Sequence, residues 1–202
     1  MAVSVDLSSF DIARDSDYRV GRSFFVRTAW FLIGMPLLRC PILPSSSFRR
    51  HLLRWFGAEV GVGAVIKPGV RVKFPWKLKM GDHCWIGEDC WIDNLAPVTL
   101  GNHVCLSQAV YLCTGNHDWS SPSFRYKLGP IRIGDGAWIG ARATVGPGAS
   151  IGECAVLALG SVATRPIPPF EIHGGNPACF QKVRVFRPEK EPAVRRPPVL
   201  RW

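Results

Sequence analysis

His117 is the histidine whose surroundings invite chemistry. Asp118 and Trp119 follow it inside the polar, turn-rich stretch TGNHDWSSPSFRYKLGP, residues 114–130. Imidazole has a reference pKa of about 6.5, so it is mostly neutral yet basic near pH 7 and can take a proton from a hydroxyl. A positioned base of this kind contributes about 10²- to 10⁴-fold in rate. It needs a carbonyl or carboxylate on its other ring nitrogen to fix the tautomer, and the sequence leaves that partner open. The plainer account of His117 is a loop histidine capping a turn. His83 and His103 raise a different chemistry. They sit in Gly81-Asp82-His83 and Gly101-Asn102-His103, 20 residues apart, and with His117 they make up the three imidazoles of a zinc site that activates water. His51 and His173 have no evident partners.

The elements that would carry these residues follow from a repeat. From residue 60 an aliphatic residue recurs every six positions: Val60, Ile66, Val72; Met80, Ile86, Ile92; Leu100, Leu106, Leu112; Ile133, Ile139, Val145; Ile151, Leu157, Ala163. Small or β-branched residues stand four places after it, as at Cys84, Cys90, Val104, Val110, Ala137, Ala143, Ala155 and Ser161. A six-residue period with one inward aliphatic per side is the signature of a parallel β-helix, in which each triangular coil buries its face only against the next. The fold class is therefore all-β. Cys84 and Cys90 occupy interior positions and read as small hydrophobes rather than zinc ligands. The repeat also predicts that His83 and His103 lie one above the other at an exposed corner. Gly61, Gly81, Gly87, Gly101, Gly134, Gly140, Gly146 and Gly152 follow the aliphatic position, where a corner is expected to need φ above zero. Trp85 and Trp91 should point outward, as an interface patch or a sugar platform. After Leu112 the next aliphatic start is Ile133, 21 residues on. The chain leaves the helix there, and excursions from a rigid solenoid are where function usually resides.

Composition bounds the rest. The chain has 202 residues and a net charge of +10, so an anionic partner is expected: nucleic acid, a membrane surface or a phosphorylated small molecule. No recognition helix, zinc finger or RNP pattern supports nucleic acid. Residues 19–54 hold seven arginines and no acid. Phe24 to Leu43 is mostly apolar but contains Arg27, Arg39, Pro36 and Pro41, so it is not a simple membrane span. It reads as a helical hairpin that packs on the main domain or a subunit neighbour, with Arg49, Arg50, Arg54 and Trp55 able to make a peripheral contact with an anionic membrane. The start, MAVSVDLSSFDIARDSDYRV, lacks a basic segment followed by an apolar run, and seven cysteines is an odd number. Together these predict a cytoplasmic chain with reduced thiols. The expected divisions are an N-terminal helical, apolar and basic segment (1–59), the β-helix (60–165) with its loop 114–130, a C-terminal coenzyme-side segment (166–186) and a flexible tail (187–202).

The hexad run, the interruption Cys113-Thr-Gly-Asn-His117-Asp-Trp, the restart Asp135-Gly-Ala-Trp-Ile-Gly140 and the ending Pro166-Ile-Pro-Pro with Gly174-Gly-Asn-Pro-Ala178 resemble the hexapeptide-repeat acyltransferases. Within that family the chain is most similar to the colanic acid O-acetyltransferases, with the maltose, galactoside and nodulation enzymes further off. The resemblance implies a left-handed parallel β-helix, against the usual right-handed rule, and homotrimers with active sites between subunits. It implies acetyl-CoA as acyl donor without a metal, and a sugar or glycan acceptor, lipid-linked in the reading the N-terminal hairpin suggests, for surface polysaccharide. The family's general base maps onto His117. Asp93 and Asn94 lie where relatives place sugar-binding groups, although they also suit a corner insertion capped by Asx side chains. Asp118, Trp119, Phe124 and Arg125 are further acceptor-side candidates, the last two as a cover over the substrate. Relatives run the pantetheine past positions matching Trp138, Ala141, Leu159 and Gly160. Thr164-Arg165 matches a Thr-Lys pair that meets the nucleotide phosphates, and Lys182 or Arg184 adds charge. Cys179 departs from the pattern, because relatives often carry a basic residue there. Two rivals remain open at this point: a zinc hydratase like the gamma-class carbonic anhydrases, and a non-catalytic β-helix scaffold.

Overall fold

A computed structural model of the chain describes residues 7, 18–43 and 45–187; the tail predicted over 187–202 lies outside them apart from its first residue. The hexads build a parallel β-solenoid of three sheets with five strands each, the second brought to seven by two C-terminal strands. Its coils stack aliphatic on aliphatic: Val60 pairs Met80, Met80 pairs Leu100, Leu100 pairs Ile133 and Ile133 pairs Ile151. The other two sheets carry Ile66, Ile86, Leu106, Ile139, Leu157 and Val72, Ile92, Leu112, Val145, Ala163 in the same way. All of these side chains are buried, and each large one contributes about 1.5–3 kcal/mol over its exposed state. Cys84 and Cys90 are fully buried beside them, as the repeat predicts. Burial pushes both thiols up, Cys90 to about 12.

The corner glycines require a correction. Glycines directly after the aliphatic residue do not have positive φ; that conformation falls two positions later, at Gly63, His83, His103, Gly136 and Cys154 among others. Their reason is space. A Cβ on Gly87 would come within 2.7 Å of the Ser107 carbonyl carbon, and one on Gly140 within 2.5 Å of the Leu159 nitrogen. Next to several of them runs a ladder that pins coil to coil. Val62 N–H donates to Asp82 Oδ1, Asp82 N–H to Asn102 Oδ1 and Asn102 N–H to Asp135 Oδ1, at 2.8–2.9 Å. His83 and His103 do stack, with ring centroids 5.3 Å apart.

The N-terminal segment is helical over Phe24–Ala29, Trp30–Gly34 and Met35–Arg39, the middle stretch with π-helical turns, and again over Ser46–Trp55. It closes the first coil. Trp30 is fully buried and its indole donates to the Val72 carbonyl at 3.0 Å. Arg49 is buried and donates to the carbonyl of Leu38 near the end of the preceding helix and to those of Cys40 and Leu43 in the turn that follows. Arg50 donates to Ala64 and Arg54 to Val60 and Gly61. These three guanidinium groups, expected as a basic face, are therefore engaged with backbone. Trp55 is exposed. No helix among the described residues is long and apolar enough to cross a membrane. At the other end, Glu171–Gly174 adds to the seven-stranded sheet and Cys179–Val183 returns antiparallel beside it.

Candidate active site

The polar insertion is more ordered than a loop. Gly115–His117 and Tyr126–Leu128 form an antiparallel hairpin in which His117 pairs with Tyr126. Thr114, buried at its root, donates its hydroxyl to the Asp93 carbonyl at 3.0 Å and accepts the Ala96 N–H at 2.9 Å. That anchors the hairpin to the coil below.

His117 is held by its neighbours in two ways. Its ring lies against Phe124 on one contact (centroids 4.2 Å, 9° between planes) and Tyr126 on another (4.8 Å, 30°). Tyr126 in turn contacts Tyr18 at 5.2 Å. Nδ1 of His117 is 2.7 Å from the Phe124 carbonyl oxygen. A carbonyl only accepts, so in the neutral ring Nδ1 carries the hydrogen and Nε2 the lone pair. The partner that the sequence left open for the ring nitrogen is thus a backbone carbonyl seven residues on, and the Phe124 ring lies against the imidazole.

The other acceptor-side candidates separate. Asp93 is nearly buried, accepts the Tyr111 hydroxyl at 3.2 Å, and has its other oxygen 3.0 Å from Lys73 in an ion pair whose angle is not that of a hydrogen bond. Burial raises the Tyr111 hydroxyl far above its ordinary range, so it stays a donor. Asn94 is fully buried and both ends of its amide bond the Phe74 backbone, at 2.9 and 2.7 Å. It clamps a corner, and its burial keeps the amide off the surface. Asp118 accepts the Ser120 hydroxyl and N–H, which hold its carboxyl below the usual range and spend it on the turn. Trp119 and Arg125 are exposed near the tip. Sequence reasoning missed Tyr18, Tyr126, Lys73 and Tyr111. Only Tyr126, inside the same insertion, had a local signal.

On the seven-stranded face a groove of about 640 Å³ is lined by Ser107, Gln108, Trp138, Ala141 and Leu159, which suits a thin, flexible chain such as pantetheine. Trp138 is half-exposed and its indole donates to the Ser107 hydroxyl at 2.9 Å. Gly160 is left-handed with open space where a side chain would be. Thr164, Arg165 and Lys182 are exposed. Arg184 lines the groove, but its guanidinium donates to the carbonyls of Gly136 and Cys154. Trp85 is half-exposed beneath Lys67, and Trp91 lies between Arg71 and Tyr111. Among the described residues no group of three or more His, Cys, Asp or Glu is placed to hold a metal ion.

Comparison with known proteins agrees with this architecture. A family model described as the hexapeptide repeat of succinyl-transferase matches residues 130–165. The colanic acid biosynthesis acetyltransferase WcaF of Escherichia coli is 35% identical over 180 residues, covering 89% of this chain and 97% of that one. Galactoside O-acetyltransferase of Escherichia coli is 30% identical, covering 64% and 65%. Among solved structures, a hexapeptide-repeat containing acetyltransferase of Vibrio cholerae complexed with acetyl coenzyme A superposes with a TM-score of 0.71 at 25% identity, covering 80% of this chain and 88% of that one. With a WcaF match that spans nearly the whole of both chains, and a solenoid that carries the hexads through every coil, this chain belongs to the hexapeptide-repeat acetyltransferase family.

Proposed function

We infer that the chain transfers the acetyl group of acetyl-CoA to a sugar hydroxyl, with His117 as general base. The observation that carries this is the Nδ1 contact with the Phe124 carbonyl, which leaves Nε2 as the basic nitrogen on a rigid platform. In one ternary complex the acceptor oxygen attacks the thioester carbonyl carbon while its proton passes to Nε2. The tetrahedral intermediate then expels the coenzyme A sulfur, and the proton on His117 returns to that sulfur as the thiol leaves. Acetyl-CoA is already activated, so no covalent enzyme intermediate is needed.

The residues around the groove fit the donor. Trp138, Ala141 and Leu159 would flank the pantetheine arm, and Thr164, Arg165 and Lys182 are exposed where phosphates can be met. Arg184 keeps its charge but has fewer donors to offer, since two carbonyls already engage it. On the acceptor side Asp93 offers the carboxylate, positioned by Lys73 and Tyr111. The names of the relatives support a glycan acceptor, and WcaF supports a precursor of a surface polysaccharide. A homotrimer, with the donor groove shared between neighbours, completes the reading, as does a cytoplasmic location with an acceptor presented at the membrane.

The test is thiol release from acetyl-CoA across a panel of sugars and lipid-linked glycans, with His117→Ala alongside. Turnover should fall by about 10²- to 10⁴-fold with coenzyme binding retained. A variant at near-normal rate removes His117 from the mechanism.

A further inference from the structure

Next to the catalytic hairpin lies a cavity of about 440 Å³ that the reaction just described leaves unused. Its walls are apolar, from Phe24 of the first helical segment, Phe31 and Leu32 of the second and Phe74 of the solenoid. Two cations, Arg27 and Lys73, also line it. Two contacts tie it to the candidate active site. Tyr18 lines the cavity and meets the Tyr126 ring at a tilt of 37°, and Tyr126 stacks on His117. Lys73 lines it and pairs with Asp93. Lys73 is neutralised by that pair, whereas Arg27 has no acidic partner among the described residues and lies over the Phe24 ring at 5.9 Å.

An apolar chamber of this size is in the range of small-molecule sites, and a guanidinium at its wall is suited to bidentate contact with a phosphate. On the reading of the chain as a sugar O-acetyltransferase, we propose that this cavity is a subsite for the acceptor's carrier: an apolar chain joined to the glycan through a phosphate. The chain fills the space between Phe31, Leu32 and Phe74, the phosphate meets Arg27, and the sugar is presented toward Asp93 and His117. A free sugar lacks both groups and gains nothing from this surface.

The experiment uses decyl phosphate, decanol and inorganic phosphate as probes of the full chain, by titration calorimetry below the micellar concentration. Decyl phosphate should bind at least tenfold tighter than either of the other two. Arg27→Gln should bring it within about threefold of decanol, and Leu32→Gln, at a position 72% exposed and so harmless to folding, should weaken it about tenfold. Ile33→Gln, on the same helical segment but outside the cavity, should leave it unchanged. Decyl phosphate should also compete with the sugar acceptor in the acetyl-transfer assay. Equal binding of decyl phosphate and decanol, equal damage from Leu32→Gln and Ile33→Gln, or absence of competition each overturns the subsite while His117-dependent transfer stands. Probe binding without any His117-dependent transfer overturns the catalytic reading, and the acceptor assignment of the cavity with it.

Discussion

Phe124 holds His117 twice, through a carbonyl oxygen 2.7 Å from Nδ1 and through a ring 4.2 Å away and nearly parallel. The two contacts are separable by mutation, because the carbonyl belongs to the backbone. Phe124 also sits at φ +48°, in the left-handed region that Asn tolerates better than most residues. Phe124→Asn should therefore keep the hairpin and the carbonyl while losing the stack. Steady-state kinetics should show kcat lower by about tenfold, a fraction of the general-base contribution, with KM for acetyl-CoA unchanged. A raised KM at constant kcat would place the ring against the donor instead.

The two uses of glycine in the coils make a second test. Gly140 and Gly146 occupy equivalent places, each directly after an interior aliphatic. A Cβ at Gly140 meets backbone at 2.5 Å, whereas one at Gly146 meets nothing nearer than 3.3 Å. Gly140→Ala should cost about 3 kcal/mol of unfolding free energy, as overpacking against rigid backbone does, and Gly146→Ala less than about 1 kcal/mol. Denaturant titration distinguishes them. Equal losses would mean that conformation rather than space selects glycine at this position.

Arg49 gives a third. The residue is 1% exposed, and its guanidinium serves the Leu38 carbonyl near the end of the Met35–Arg39 helix and the Cys40 and Leu43 carbonyls beyond it. Burial lowers its pKa, but from a value so high that it remains charged. Arg49→Met fills the volume and leaves those acceptors without a donor, at about 1–3 kcal/mol for each that stays buried. A fall in Tm of more than about 5 °C is expected, against no change for Trp55→Ala, which is 87% exposed. If Arg49→Met were silent, the carbonyls would have to be reached by water.

The solenoid was legible because its cause is local and repeated. Each coil must put an aliphatic inside every six residues, and fifteen such positions cannot be mistaken for helix. The corners were misread because two constraints, left-handed φ and backbone proximity, both select glycine and lie two residues apart. His83, His103 and Cys154 occupy the strained position without being glycine. At the site, His117 was legible from its type and its place in an interruption. Tyr18, which meets the ring of Tyr126 behind it, was not, being 99 positions from His117 in the numbering. Nor did anything in the sequence distinguish Asp93 from Asn94. One turns to Lys73 and Tyr111 and the other to Phe74, a difference set by which way the corner folds.

Buried thiols supply a pH test with a defined sign. Cys90 ionises at about 9 when unfolded and only at about 12 in the folded chain, because burial disfavours its thiolate. Between those values the unfolded state releases a proton that the folded state keeps, so stability present below pH 9 is lost as pH rises toward 12. The loss is about 1.4 kcal/mol per pH unit for one such thiol. Cys90→Ala removes the group and should flatten that part of the profile, although the smaller side chain lowers stability at neutral pH. The comparison of unfolding free energies at pH 8 and pH 10.5 isolates the slope from the offset. Over the same range iodoacetamide should modify exposed Cys179 quickly and leave Cys84 and Cys90 intact in the folded chain. Parallel profiles for wild type and Cys90→Ala would mean that the thiol ionises alike in both states and that the coil interior is wetter than its packing indicates.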